Sequence, residues 1–128
     1  MQRVWIALGA LAGLGAVAMA ALAAHALNGL EPGALAMVRS GIEMQGWHAL
    51  ALLGCGLWAP RGGRLADAAG VAFAAGTVLF CGGVYAIGLF GVRLGPVAPV
   101  GGTLLMAGWA LLGLSAVFGA RRPTGPSE

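Results

Sequence analysis

Charged side chains interrupt this chain at only eleven positions: Arg3, Glu31, Arg39, Glu43, Arg61, Arg64, Asp67, Arg93, Arg121, Arg122 and Glu128. Between them lie charge-free stretches at 4–30, 44–60, 68–92 and 94–120, together 96 of the 128 residues. A membrane-spanning helix needs about 20 predominantly apolar residues, with a range of roughly 17–25. The pattern therefore predicts four spanning helices, at about 4–27, 32–59, 65–90 and 100–119. Short connections between antiparallel neighbours make this an all-α, integral membrane, up-down four-helix bundle. It forms one domain over 1–122, followed by a disordered tail at 123–128.

In the first helix, which Asn28-Gly29 ends, small residues recur at every fourth position: Ala12, Ala16, Ala20 and Ala24, with Gly9 and Gly13 one step round. Such stripes let helix backbones approach closely where lipid removes the hydrophobic driving force. Glu31-Pro32 starts the second helix, with proline at the first helical position and an acid at the positive dipole end. Leu35, Val38 and Ile42 share one face while Arg39 and Glu43 lie four apart on another. That amphipathic N-terminal extension is expected to rest in the outer interface, the helix entering the bilayer only at Gln45–His48. The third helix follows a short basic loop, and the fourth starts near Val100-Gly101-Gly102 after a loop containing Pro96 and Pro99. Trp5 and Trp58 fall at the cytoplasmic interface and Trp47 at the outer one, as an aromatic belt predicts. Trp109 sits mid-span and is expected to pack inside the bundle.

Composition agrees: 59% of residues are hydrophobic and 9% charged, with mean hydropathy +0.90. This excludes a soluble enzyme, a nucleic-acid binder and a disordered chain. The net charge of +3 comes from arginines scattered one or two per loop, not from a basic stripe. Arg3, Arg61, Arg64, Arg121 and Arg122 share one side and only Arg39 and Arg93 the other, which places both termini in the cytoplasm. The first helix is too long for a signal-peptide core and is expected to be retained. Cys55 and Cys81 differ in depth by about 10 Å, too far for a disulfide, and read as small packing residues. There is no lysine, phosphate loop, Cys-x-x-Cys, His-Glu-x-x-His or Gly-x-Ser-x-Gly. Neither an enzyme nor a metal site is expected.

Polar side chains inside the spans are few, and each is costly unless paired. His25, Gln45, His48 and Tyr85 all fall towards the outer ends of their helices, with Pro96, Pro99, Gly101 and Gly102 shaping the start of the fourth. They are expected to form a polar layer in the outer leaflet. One reading is a hydrogen-bond cluster that fixes helix register. The alternative is a binding site using His25 and His48, for haem between two imidazoles or for a quinone beside Tyr85 and Gln45. A small-solute channel or transporter is a third reading. Against it, the cytoplasmic half offers only Thr77, Ser115 and Cys55.

Four ordered motifs carry a resemblance to the DUF423 (UPF0382) family of small bacterial membrane proteins, to which transmembrane protein 256 is related. They are Gly9-Ala10…Gly13…Ala16-Val17…Ala24-His25-Ala26-Leu27; Gln45-Gly46-Trp47-His48-Ala49-Leu50-Ala51; Phe80-Cys81-Gly82-Gly83-Val84-Tyr85; and Gly95-Pro96…Pro99-Val100-Gly101-Gly102…Gly108-Trp109. Compared with the family pattern, Met44 replaces an aromatic residue, and hydroxyls are missing at Cys81, Gly83 and Ala98. The resemblance implies a four-span protein of the bacterial plasma (inner) membrane and supplies no activity. The expected function is that of a non-enzymatic accessory, assembly or envelope-homeostasis protein without a cofactor. Its partners are the lipid bilayer and other membrane proteins or further copies of itself. Gly9, Gly13, Ala16, Ala20 and Trp109 are the expected helix-packing residues.

Overall fold

The computed structural model describes residues 1–119. Arg121, Arg122 and the 123–128 segment lie outside them. Three helices make up the described residues: α1 (Gln2–His25), α2 (Pro32–Phe90) and α3 (Val97–Phe118). Each is long and apolar enough to cross a membrane.

The expected loop between a second and a third helix is replaced by a fold within α2. A straight helix of its 59 residues would measure about 88 Å, close to three bilayer cores. Instead Tyr85 packs on Gly41 and Val38 on Gly88, so residues 32–62 and 64–90 are two antiparallel arms. Two residues make the reversal. Pro60 lacks the N–H that would bond back to residue 56. Gly63 takes φ 57° and ψ −144°, which side-chain-bearing L-residues rarely adopt.

Local chemistry explains the other ends. The Glu31 carboxylate accepts from the backbone N–H groups of Gly33 and Ala34 at 3.1 and 3.3 Å, capping α2 with Pro32 in the first turn. Gly91, at φ 66°, closes it in the left-handed conformation, its N–H returning to Ala86 and Ile87. α3 begins at Val97, earlier than the Val100-Gly101 start expected, with Pro96 as its cap.

α1 and α3 each pack on α2 and not on each other. Met1, Gly63 and Gly119 lie at one end of the bundle, the turn end; His25, Pro32, Phe90 and Val97 lie at the other, the loop end. The register is read from close contacts. Gly9 of α1 meets the Ala49 carbonyl, Gly76 meets Leu105, and Gly108 meets the Phe73 ring. These pairings set Gly13, Gln45, Thr77 and Gly108 near the midpoints of their segments. The core is built on Trp5, Ala51, Leu52, Cys55, Ala69, Phe73 and Leu105. Large apolar residues such as Leu11, Val17, Val78 and Val117 face outward, 65–73% exposed, the surface that a bilayer covers.

The register corrects the proposed interfacial extension of the second helix. Val38 is fully buried and Gly41 is buried, so residues 32–43 are packed helix and not a turn lying on the membrane. Trp47 moves with them: it is 61% exposed but only two residues from the midpoint, facing outward in mid-bundle.

Candidate functional site

Two hydrogen-bond clamps cross the middle of the bundle, both anchored on the first arm of α2. In the first, the Tyr85 hydroxyl donates to Gln45 Oε1 at 2.8 Å and Gln45 Nε2 donates to the Ala12 carbonyl at 2.9 Å. One side chain thus ties α1 to both arms. In the second, Trp109 Nε1 donates to His48 Nε2 at 3.1 Å, while His48 Nδ1 lies 2.7 Å from the Met44 carbonyl. A carbonyl can only accept and an indole N–H can only donate, so the ring hydrogen sits on Nδ1. Phe73 completes this clamp, edge-on to Trp109 with centroids 5.1 Å apart.

The turn end has polar contacts of its own. Trp5 Nε1 donates to Asp67 Oδ1 at 2.7 Å. Trp58 Nε1 donates to Ser115 Oγ at 3.0 Å, and that hydroxyl donates to the Leu112 carbonyl. Three of the four tryptophans therefore spend their N–H on another segment of the bundle.

Two cavities flank α1. One, of about 270 Å³, lies between α1 and the second arm, lined by Leu8, Leu11, Ala12, Gln45, Thr77 and Cys81 among others. The other, of about 620 Å³, is a groove between α1 and the first arm, lined by Gly13, Ala16, Ala20, Glu43, Gly46 and Leu50 among others.

Comparison with known proteins fixes the family. The model for the protein of unknown function DUF423 matches residues 19–102. The chain belongs to the DUF423 family. It is 37% identical over 122 residues to the UPF0382 inner membrane protein YgdD of Escherichia coli, covering 91% of each chain. A UPF0382 membrane protein of Haemophilus influenzae is 35% identical over 114 residues, 88% of this chain and 92% of the relative. One from Staphylococcus haemolyticus is 32% identical over 116 residues, covering 89% and 95%. No solved structure matches the chain.

Of the polar residues expected to converge in this DUF423 protein, the structure joins Gln45 to Tyr85, and places His48 in a separate clamp with Trp109. His25 joins neither. It is the exposed last residue of α1, sixteen residues beyond Gly9, so about 24 Å along the axis from the level of His48. The two clamps lie between the midpoint of the bundle and its loop end, with Gln45 and His48 near the midpoint and Tyr85 five residues from the end of α2 at Phe90. Gly101 is buried against the Phe80 backbone, with Gly102 beside the Phe80 ring. Pro99 accepts the Thr103 hydroxyl at 3.0 Å.

The small residues of α1 divide. Gly9, Gly13, Ala16 and Ala20 all line the groove, but Gly9 and Ala16 are buried while Gly13 is half-buried and Ala20 exposed. Trp109 aims its N–H inward but remains 49% exposed, so it is not enclosed as expected. Cys55 and Cys81 are both free and buried, and Cys81 Sγ donates to the Gly41 carbonyl at 3.4 Å. Among the described residues no group of three His, Cys, Asp or Glu side chains could hold a metal.

The Trp5–Asp67 and Trp58–Ser115 bonds, the unpartnered hydroxyl of Thr77 and the depth of Glu43 were not legible in the sequence. Asp67 did carry a signal: an acid at the start of an apolar run needs a donor in reach. Its partner is 62 residues away, and no local pattern names it.

Proposed function

We propose that this DUF423 protein is a non-enzymatic, four-span accessory protein of the bacterial inner membrane, both termini cytoplasmic. Its role is to hold a helix of another membrane protein in the groove between α1 and the first arm of α2. The observation that carries this reading is Glu43. It is exposed and lines the groove at the level of Ala16 and Ala20, inside the span of α1. An ionisable side chain at such a depth costs several kcal/mol unless it is paired. Arg39, one turn nearer the loop end, lines the adjoining recess with Ala23 and Ala24. The groove floor of Gly13, Ala16 and Gly46 admits a close helix backbone, and the docked helix brings a hydrogen-bond donor or cation to Glu43.

A photocrosslinking amino acid at Ala20, compared with one at Val117 on the outward face of α3, tests the reading in intact membranes. A crosslinked species of one defined mass is expected from Ala20 and not from Val117. It should be lost in Gly46→Leu, at a position where a Cβ meets no atom within 4 Å, and weakened in Glu43→Gln. Twice the chain's own mass would identify the occupant as a second copy. Equal, diffuse crosslinking from both positions would sink the proposal.

Two other readings have less support. Haem ligation by His25 and His48 requires imidazoles on opposite faces of one iron, and these lie about 24 Å apart along the axis. A solute path would need polar groups continued across the bundle, whereas Gln45, Tyr85, His48 and Trp109 are engaged in the two clamps.

A further inference from the structure

The cavity between α1 and the second arm holds a polar group that the fold leaves without a partner. Thr77 is 8% exposed, and its hydroxyl oxygen makes no hydrogen bond. This is unusual for its setting. Thr103, also helical, bonds its hydroxyl to the carbonyl four residues back, as a threonine in an apolar helix normally does. A buried unpaired hydroxyl costs roughly 1–3 kcal/mol. Gln45, on the same cavity, uses one Nε2 hydrogen on Ala12 and has a second to give. Rotation about the Thr77 Cα–Cβ bond, for which a helical threonine has two accessible rotamers, turns its closed-in hydroxyl to the cavity, which then has two hydrogen-bond donors on an otherwise apolar wall of Leu8, Leu11, Leu52 and Val78.

We propose that this cavity binds a membrane quinone, one ring carbonyl accepting from the Thr77 hydroxyl and the side chain of Gln45. Four observations select the ligand. Donors without a free cation call for a neutral acceptor. About 270 Å³ lies just under the roughly 300–1,000 Å³ of sites that enclose a drug-sized molecule, which suits a substituted ring and not a whole lipid. The depth excludes a phospholipid ester carbonyl, which is tied to the interface. α1 and the second arm run parallel with Trp5 over Gly70, so seven residues on Ala12 lies level with Thr77, about 15 Å from the start of α1. Finally, Leu11 and Val78 line the cavity and are 65% and 72% exposed, so an isoprenoid tail can leave directly into lipid. The site uses neither His25 nor His48 and lies on the opposite flank of α1 from the Glu43 groove, so it is independent of the docking role.

The test is photolabelling of the full chain in phosphatidylcholine nanodiscs with a decyl azidobenzoquinone, adducts being mapped by mass spectrometry. Label is expected on residues 8–12 and 74–82, displaced by unlabelled decylubiquinone. Thr77→Val keeps the side-chain volume and removes the hydroxyl. It should lower labelling roughly three- to tenfold, the worth of one neutral hydrogen bond, without lowering thermal stability. Gly82→Leu, at a position where a Cβ meets no atom within 4 Å, should block the mouth and abolish labelling, while Gly113→Leu on α3, equally open at Cβ, leaves it unchanged. Label spread evenly over outward residues such as Val17 and Val117 would overturn the proposal. So would undiminished labelling of Thr77→Val, or displacement by a long-chain ketone as effective as by the quinone.

Discussion

Trp109 donates its indole N–H to Nε2 of His48 at 3.1 Å, across 61 residues of sequence. With Nδ1 facing the Met44 carbonyl, both imidazole nitrogens are satisfied, and the ring joins α3 to the first arm of α2. Trp109→Phe keeps an aromatic ring against Phe73 but leaves His48 Nε2 without its donor. Membrane hydrogen bonds of this kind average about 0.6 kcal/mol, so a loss of about 1 kcal/mol is expected in reversible unfolding in mixed micelles. His48→Ala should cost more, about 2–3 kcal/mol, because it adds a cavity beside Phe73 to an unpaired indole.

The same geometry bears on haem. An iron ligand needs a free nitrogen lone pair, and that of His48 Nε2 is taken by Trp109. Titrating the purified protein with haemin should give no low-spin bis-imidazole Soret spectrum. A band of that type that disappears in both His25→Ala and His48→Ala would contradict the separation of the two residues described above.

Gln45 ties three segments together, accepting from Tyr85 and donating to Ala12. A double-mutant cycle of Gln45→Leu with Tyr85→Phe isolates the first bond from changes in packing. The coupling energy expected is about 0.6 kcal/mol and no more than about 1.7 kcal/mol. Zero coupling would mean that the hydroxyl and the amide do not meet in the folded protein.

Much of this architecture is legible in the chain, and its misreadings share one physical origin. Charge-free lengths marked the chain as helical and apolar, though the structure has three helices where four were expected, and Glu31-Pro32 marks a real helix start. Depth did not follow. Arg39 and Glu43 look interfacial by charge, yet Val38 and Gly41 between and before them are buried against Gly88 and Tyr85. Burial in a membrane bundle is decided by neighbouring helices, and two charges on the outer face of a helix do not reveal what its inner face touches. Similarly, Gln45 and His48 were expected in one polar layer. Their partners lie on opposite flanks, so the single layer separates into two clamps. Gly63 looked like one of several loop residues, and only its backbone angles distinguish it.

Close approach makes the α2–α3 seam sensitive to single methyl groups. A Cβ on Gly101 would run into the backbone of Phe80, whereas one on Gly113 meets nothing within 4 Å. Gly101→Ala is therefore expected to destabilise by about 1–3 kcal/mol, since neither backbone can yield. Gly113→Ala should be neutral or stabilising by up to about 1 kcal/mol, because alanine is the better helix former. Thermal unfolding of the two variants in the same detergent compares them directly. Equal effects would show that the helices are not in contact at Gly101.

Gly63 offers the sharpest test of how α2 folds back. Its φ of 57° and ψ of −144° are the mirror image of the polyproline conformation that L-residues favour. Gly63→Ala must then either strain the backbone, at about 1–3 kcal/mol, or move the reversal. A D-alanine at the same position, introduced by chemical synthesis, finds those angles natural and also restricts the unfolded chain. It should match or exceed the glycine protein, with a gain of up to about 1 kcal/mol. In the L-alanine protein no Cβ clash interferes, since nothing lies within 4 Å of the added carbon. If the L- and D-alanine proteins unfold alike, the reversal does not depend on this backbone conformation, and the burden of turning α2 falls on Pro60.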